Sequence, residues 1–380
     1  MPKKSQIEQL LHDICPNGVN YTSLENMCVV LNAPKKLKRQ EYQETGLYPI
    51  IDQGKEYIVG YTDDESALMP KAEYVIFGDH SREVKYANFA FAQGADGLKI
   101  LKAREGVLPR YLYHSLLNLD VPSRGYNRHW SIAKELELPF PPMPIQEEIV
   151  RLLDTFTDLV KNIDDEIVAR QKQLQDSIEI LYNGVQADWT EKSLGEIGQV
   201  IKGSGIQKDD FVEYGRPCIH YGQIHTYYGT SAIKTKSFIT EELYSKCKKA
   251  KTGDLVIATT SEDVPACCKA TAWLGKEDVA VSGDAHILHH NQDPLFMAYL
   301  FRTERFSEQR AMAATGAKVT RVSGDRLASF RFFFPPLAEQ RAIAEKLDTI
   351  EAFINNLKTE RDLRQQQYEY YREHLINLLK

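Results

Sequence analysis

The 380 residues carry 43% hydrophobic and 26% charged side chains with no low-complexity tract, enough for two or more domains with cores of their own. Six cysteines without a C-x-x-C pair argue against a disulfide scaffold, and no apolar run approaches the ~20 residues that span a bilayer. The net charge of -6 is concentrated: residues 139–188 hold four basic against ten acidic side chains, so the rest of the chain is close to neutral and charge alone neither demands nor forbids a nucleic-acid partner.

Residues 7–14 have the spacing of a short amphipathic helix, closed by Cys15-Pro16-Asn17-Gly18. The start of the chain has no apolar stretch of secretory type, and a cytoplasmic protein with reduced thiols is expected. From there to about residue 138 the runs are short and strand-like: 29–31, 48–51, 57–59, 74–77, 89–91 and 98–101, punctuated by Gly, Asp and Asn. Residues 109–119 read as one amphipathic helix. Residues 188–333 repeat this plan, with 200–201 standing for 29–30, 255–257 for 74–76, and a helix from Pro294 for the one from Pro109.

The clearest signal is a gapless repeat. Residues 141–183 align with 335–377: Pro141-Pro142 on Pro335-Pro336, Gln146 on Gln340, Leu153-Asp154-Thr155 on Leu347-Asp348-Thr349, Arg170 on Arg364 and Asn183 on Asn377. Ile145, Ile149, Leu152, Phe156, Leu159 and Ile163, then Ile167, Leu174, Ile178, Leu181 and Val185, form a heptad seam; the second copy runs from Ile343 to Leu378. Each seam predicts a helix of about 40 residues, ~60 Å long, with tandem proline at its head. Two such helices in one chain pack most simply against each other, antiparallel if each joins its globular half at its N-terminal end. Arg361 and Arg364 interrupt the second seam. Either their stems line it while the guanidinium groups reach water, or they make a polar layer with acids of the first helix. The predicted fold is α+β: two similar, mostly-β globular domains (1–138 and 188–333) separated and joined by two long helices (139–187 and 334–380) forming an antiparallel coiled coil.

No catalytic constellation emerges. The Pro-Pro pairs resemble the core of an adenine methyltransferase motif, but Phe140 and Phe334 stand where an Asn or Asp must hold the exocyclic amine. Lys202-Gly203-Ser204-Gly205 lacks the strand–turn–helix frame of a nucleotide site, Glu83-Val84-Lys85 is too short a match for a metal nuclease, and His286, His289 and His290 lack ligand spacing. The remaining polar loops suit base edges and phosphates. In the first half they supply Lys36, Lys38, Asp79, His80, Arg82, Lys85, Arg124, Tyr126, Asn127 and Arg128. In the second they supply Lys202, Ser204, Tyr221, Gln223, His225, Thr226, Tyr227, Thr260, Ser261, Lys318 and Arg321.

Pro-Pro-x-x-x-Gln at the head of both helices, Val75-Ile76-Phe77-Gly78-Asp79-His80 with Gly94-Ala95-Asp96-Gly97, and Ile219-His220-Tyr221-Gly222-Gln223-Ile224 resemble the specificity subunit of a Type I restriction–modification system along the whole chain. Ile145, where the second copy has Glu339, is a departure at the helix head. The resemblance implies two target-recognition domains, each reading one half of a bipartite site in double-stranded DNA. It also implies that the coiled coil is a spacer docking two modification (methyltransferase) subunits, with Gln146, Gln340, Arg170 and Arg364 on it. Those partners would hold S-adenosylmethionine, this chain holding no cofactor or metal. Restriction/translocase subunits would join to cleave, and the isolated chain, its helix seams exposed, would be prone to self-association. Half-sites roughly one DNA turn apart, ~34 Å, are expected from helices of this length.

Overall fold

A computed structural model of the chain describes residues 6–94, 96–123, 125, 127–316 and 318–379. It divides into two compact units, one of Met1–Asp164 with Thr359–Lys380, the other of Asp165–Lys358. The long helices, Met143–Asn183 and Leu337–Asn377, are 41 residues each, and each gives part of its length to either unit.

In the first unit, helix Gln6–Ile14 precedes β1 (Tyr21–Ser23), β2 (Cys28–Leu31), β3 (Tyr48–Ile51), β4 (Gly60–Thr62), β5 (Leu68–Met69), β6 (Tyr74–Gly78), β7 (Val84–Ala87), β8 (Phe91–Gln93), β9 (Leu98–Ala103), helix Pro109–Leu117 and β10 (Glu137–Pro139). One sheet is ordered β2-β9-β6-β7 and a second β4-β3-β8-β5, with β1 and β10 as a separate ribbon. Strand alternation sets the layers. Along β6, Val75 and Phe77 face a core shared with Tyr111 and Leu112 of the short helix and with Ile145, Ile149 and Leu153 of the first long helix, whereas Tyr74 and Ile76 face Ile51, Met69 and Phe91 of the second sheet. A strand buried on both faces needs an unbroken apolar run, and Tyr74-Val75-Ile76-Phe77 is that run.

The second unit contains β11 (Thr190–Ser193), β12 (Gly198–Lys202), β13 (Arg216–Ile219), β14 (Ser231–Ala232), β15 (Ser237–Ile239), β16 (Lys249–Ala250), β17 (Leu255–Ala258), β18 (Thr260–Ser261), β19 (Lys269–Trp273), β20 (Val279–Val281), β21 (Ala285–His290), β22 (Thr320–Arg321) and β23 (Arg331–Phe334). Its sheets run β12-β21-β17-β19-β14 and β15-β13-β20-β16, matching the first unit strand for strand apart from the added β14. β3 and β13 each pair antiparallel with one neighbour and parallel with the other. Alternation repeats as well: Leu255 and Ile257 face Phe296, Tyr299 and the long helices, while Val256 and Ala258 face Ile219 and Val281.

Within each unit the long helices run antiparallel. In the first, the ring of Phe156 stacks on Tyr371 at 5.1 Å, and Asp164 takes Arg361 Nε at 3.2 Å. In the second, Arg170 lies 5.5 Å over Phe353, and Glu339 accepts from Gln186 and Trp189. Of the two readings for the seam arginines, Arg361 takes the cross-helix acid. Arg364 instead pairs along its own helix with Glu360 and Gln367, as Arg170 does with Glu166 and Gln173.

Several expectations need correction. Residues 57–59 form no strand: Tyr57 spends its hydroxyl on the Tyr86 carbonyl and its ring on Phe89, leaving the backbone bent. The strand expected from 89 begins at Phe91. Leu153, not Leu152, is the fully buried position of its turn, in the core with Val75, Phe77 and Tyr111, and Val185 lies past the helix end.

Gln146 and Gln340 are not on a docking surface. Both are buried, Gln146 at 0% and Gln340 at 1% exposure. Gln146 Nε2 donates to the carbonyls of Gly106 and Pro141, and its Oε1 accepts from Leu108 N–H. Gln340 Nε2 donates to the Pro335 carbonyl and to the side-chain Oε1 of Gln292, and its Oε1 accepts from Asp293 N–H. The shared motif is therefore a clamp from the head of each long helix to the loop before the short sheet-covering helix. Gln146→Leu or Gln340→Leu leaves the carbonyl of a buried proline and two less buried groups without their partner, and should each cost about 2 kcal/mol in urea unfolding. The double variant should lose the sum, since the two clamps share no partner.

Candidate nucleic-acid interface

In the first unit the polar loops singled out in the sequence come together at one end of the β6 sheet. The turn after β6 is tight: Gly78 N–H bonds to Glu83, and Arg82 sits at φ 65. Asp79 N–H donates to Gly97 across to the next loop. His129 donates its N–H to Asp79 O, fixing the 127–130 segment beside both. Lys36 reaches Asp96 at 2.7 Å from a third direction.

The geometry separates residues that hold this cluster from those that face outward. Asp79, read as a DNA contact, is 2% exposed; its carboxylate accepts from Trp130 N–H at 2.7 Å and lies 3.7 Å from Lys99. Lys85 is likewise buried, its ammonium on the carbonyls of Asp52 at 2.8 Å and Glu56 at 2.5 Å, and burial pushes its pKa down. Arg82 spends Nη1 on Val121 O. His80 gives its N–H to Gln53 Oε1. Lys36, Lys38, Asn127 and Arg128 are exposed. Arg124 and Tyr126 lie outside the described residues.

The loop 52–56 belongs to this cluster and was missed in the sequence. Gln53 is its hub: Oε1 accepts from His80, Nε2 donates to Asp96 O, and its carbonyl accepts from Ser81 Oγ. Gly97, at φ 98, packs against that amide, where an added Cβ would stand 2.7 Å from Gln53 Oε1. A signal was available, since Pro49-Ile50-Ile51-Asp52-Gln53-Gly54 shares P-x-I-x-x-G with Pro217-Cys218-Ile219-His220-Tyr221-Gly222.

The second unit gathers its loops in the same way. Helix Tyr221–Thr226 follows β13, with His220 capping it at Gly222 N–H. His225 Nε2 bonds to Thr260 O, and β18 pairs with β22, joining Thr260 and Ser261 to Thr320 and Arg321. Here too some candidates are structural. Thr260 Oγ1 is buried on Asp284, Ser204 Oγ accepts from Lys248 N–H, and the Gln223 amide is shared between His220 N–H and Ser237. Tyr221 is half-buried against His220, and Thr226 Oγ1 closes on Gly222 O. Tyr227, 57% exposed with Lys236 over its ring, Lys202, Lys318 and the side chain of Arg321 face outward.

Each domain is tied to a long helix by a polar latch, the two lying one turn apart in the repeat. In the first unit Asp154 receives Arg110 Nη2 at 2.5 Å and His114 Nε2 at 2.8 Å, and His114 Nδ1 meets Tyr368 Oη at 2.9 Å. Burial alone would raise the Asp154 carboxyl, but the bonds from His114 and Arg110 outweigh it and hold it below the usual range; burial keeps His114 neutral. In the second unit Glu351, one turn beyond the counterpart of Asp154, takes Tyr299 Oη at 2.9 Å and Arg302 Nη1 at 2.8 Å. Among the described residues no group of three or more His, Cys, Asp or Glu could hold a metal, and no helix is long and apolar enough to cross a membrane.

The family model for the Type I restriction modification DNA specificity domain matches this chain twice, over residues 16–169 and 186–364. The chain belongs to that family. Among specificity-domain relatives, the Type I restriction enzyme EcoR124I/EcoR124II specificity subunit of Escherichia coli is 28% identical across 100% of this chain and 98% of its own length. A putative type I restriction enzyme specificity subunit of Haemophilus influenzae is 24% identical over 98% of both chains. The crystal structure of a Type-I restriction-modification system S subunit from M. genitalium superposes with a TM-score of 0.59 at 14% identity, covering 94% of this chain and 96% of that one. At that identity the likeness speaks to fold, and it matches the doubled specificity-domain architecture described above.

Proposed function

We propose that this chain is the non-catalytic DNA-reading subunit of a Type I restriction–modification complex. Its two recognition domains each read one half of a bipartite target in double-stranded DNA. The observation that carries this is the doubled specificity-domain match, on two units whose two main sheets share their strand order apart from the added β14 and whose loop clusters differ in side chains. Same scaffold with different outward groups is what two readers of different half-sites need, because fixed elements position and exposed side chains specify.

The long helices dock two methyltransferase subunits in this reading, and those subunits hold S-adenosylmethionine and methylate adenine. Restriction/translocase subunits complete the assembly. The three exposed cations named in the first cluster, Lys36, Lys38 and Arg128, and the few in the second are a modest phosphate-binding set, in keeping with partners that share the grip on DNA. The test is DNA binding by the purified methyltransferase partners with and without this chain. Addition of the chain should produce sequence-selective binding that weakens steeply as salt rises. Equal selectivity without the chain would overturn the proposal.

A further inference from the structure

The geometry points to residues 53–56 as a base-reading loop of the first half-site, with the buried ammonium of Lys85 as the group that positions it; the inference rests on the proposed DNA-reading function.

The loop leaves β3 at the place where helix Tyr221–Thr226 leaves β13, and the two strands have the same neighbours in their sheets. The second unit's version is helical, so the His220 and Gln223 carbonyls are taken within the turn and the His220–Gln223 capping pair closes its head, while Lys269 Nζ reaches the His225 carbonyl at 3.3 Å from outside. The first unit's version is not helical. Only one short local bond, Gly54 N–H to Asp52 Oδ1, orders it from within. The carbonyls at its two ends, Asp52 and Glu56, therefore need an outside donor.

Lys85 supplies it. Its Nζ reaches both carbonyls, with Asp52 Oδ1 at 3.9 Å, from β7 at the edge of the β6 sheet. A buried ammonium costs free energy unless its donors are matched, so loop and lysine fix one another. The strand registers give an independent check. Lys85 pairs with Ile76 on β6, and the face alternation, which shifts the sequence matching of 255–257 with 74–76 by one residue, makes Thr271 with Val256 the corresponding pair on β17. Thr271 is also fully buried, and its Oγ1 donates to Gly229 O, just past the end of the helical version. Both units thus place a donor at the same strand position to hold the segment after the third strand or its equivalent, a long ammonium for an open loop and a short hydroxyl for a helical one.

With its carbonyls turned inward, the loop leaves Lys55 and Glu56 exposed, and Gln53 ties it to the turns at 78–82 and 94–97. Lysine suits guanine O6/N7 in the major groove, and a carboxylate suits the cytosine N4 amine. A Lys–Glu pair on one rigid loop is chemistry for a G·C-containing step.

The test is genome-wide mapping of methylated adenine in cells carrying the methyltransferase partners with wild-type chain, Lys55→Ala or Lys85→Met. Lys55→Ala alters only an exposed side chain and should relax one or two base positions of one half-site about tenfold or more, the other half unchanged. Lys85→Met keeps the stem but removes the donors, and should relax the same positions. A purely structural loss would instead lower methylation across the whole half-site evenly. The inference is overturned if the wild-type motif is bipartite and Lys55→Ala leaves every position intact. It is equally overturned if Lys85→Met weakens the half-site uniformly. A wild-type chain that confers no motif would overturn the DNA-reading proposal itself, and this inference with it.

Discussion

Asp154→Ala should destabilise the first unit by about 3–5 kcal/mol. The carboxylate is the common partner of Arg110, whose guanidinium is sandwiched against Tyr86 and Tyr113 at 4.6 and 5.0 Å, and of His114, which has no exposed surface. Removing it leaves a cation in a half-buried aromatic slot and a buried ring N–H without an acceptor. The neutral histidine that satisfies both neighbours donates from Nε2 to Asp154 and accepts at Nδ1 from Tyr368, so the second long helix is loosened as well. Asp154→Asn keeps an acceptor for His114 and should lose less. Urea unfolding of the two variants beside wild type checks this. A loss below 1 kcal/mol for Asp154→Ala would mean that the latch is decorative and that the apolar contacts of Ile149 and Leu153 hold the domain alone.

Acidification should unfold the second unit before the first. His220, His286 and His290 all lie there, and burial depresses each below its ordinary value, His290 to about 4. Such a ring is neutral in the fold and protonated in the unfolded chain below pH ~6.5. Its contribution is therefore complete above ~6.5 and is lost as the pH falls toward 4, about 3 kcal/mol for His290 alone. The first unit has His114 working in the same direction. Asp254, raised by burial, works the opposite way and offsets part of the loss. Unfolding midpoints at pH 7 and pH 4.5 should differ markedly in wild type and much less in His290→Asn. Equal pH slopes for the two proteins would contradict the assignment.

What was legible in the sequence follows from the range of the interactions involved. The long helices were readable because their signal is local and repeated, a heptad seam copied without a gap from 141–183 to 335–377. β6 and β17 were readable for a related reason, since a strand buried on both faces must be continuously apolar. The reading loops were located but their side chains were not sorted. Nothing near Asp79 in the sequence announces that Trp130 N–H will take its carboxylate, nor does anything near Lys85 announce the carbonyls of Asp52 and Glu56. Those partners lie some thirty to fifty residues away, and a polar residue in a loop looks the same whether it faces a base or a buried carbonyl. Gln146 and Gln340 show the converse. Their recurrence was plain and their role was not, because a recurring polar residue on a helix reads as a docking group until its three backbone partners are seen. Gln53 was overlooked because the short motif around it becomes visible only once β3 and β13 are known to be equivalent.

The most direct test of the account is mapping of methylated adenines across a genome in cells that express the methyltransferase partners with and without this chain. The account predicts a motif of two short specified halves separated by unread base pairs, methylated in both halves and absent when the chain is withheld. A continuous motif, or a bipartite motif that persists without the chain, would contradict it.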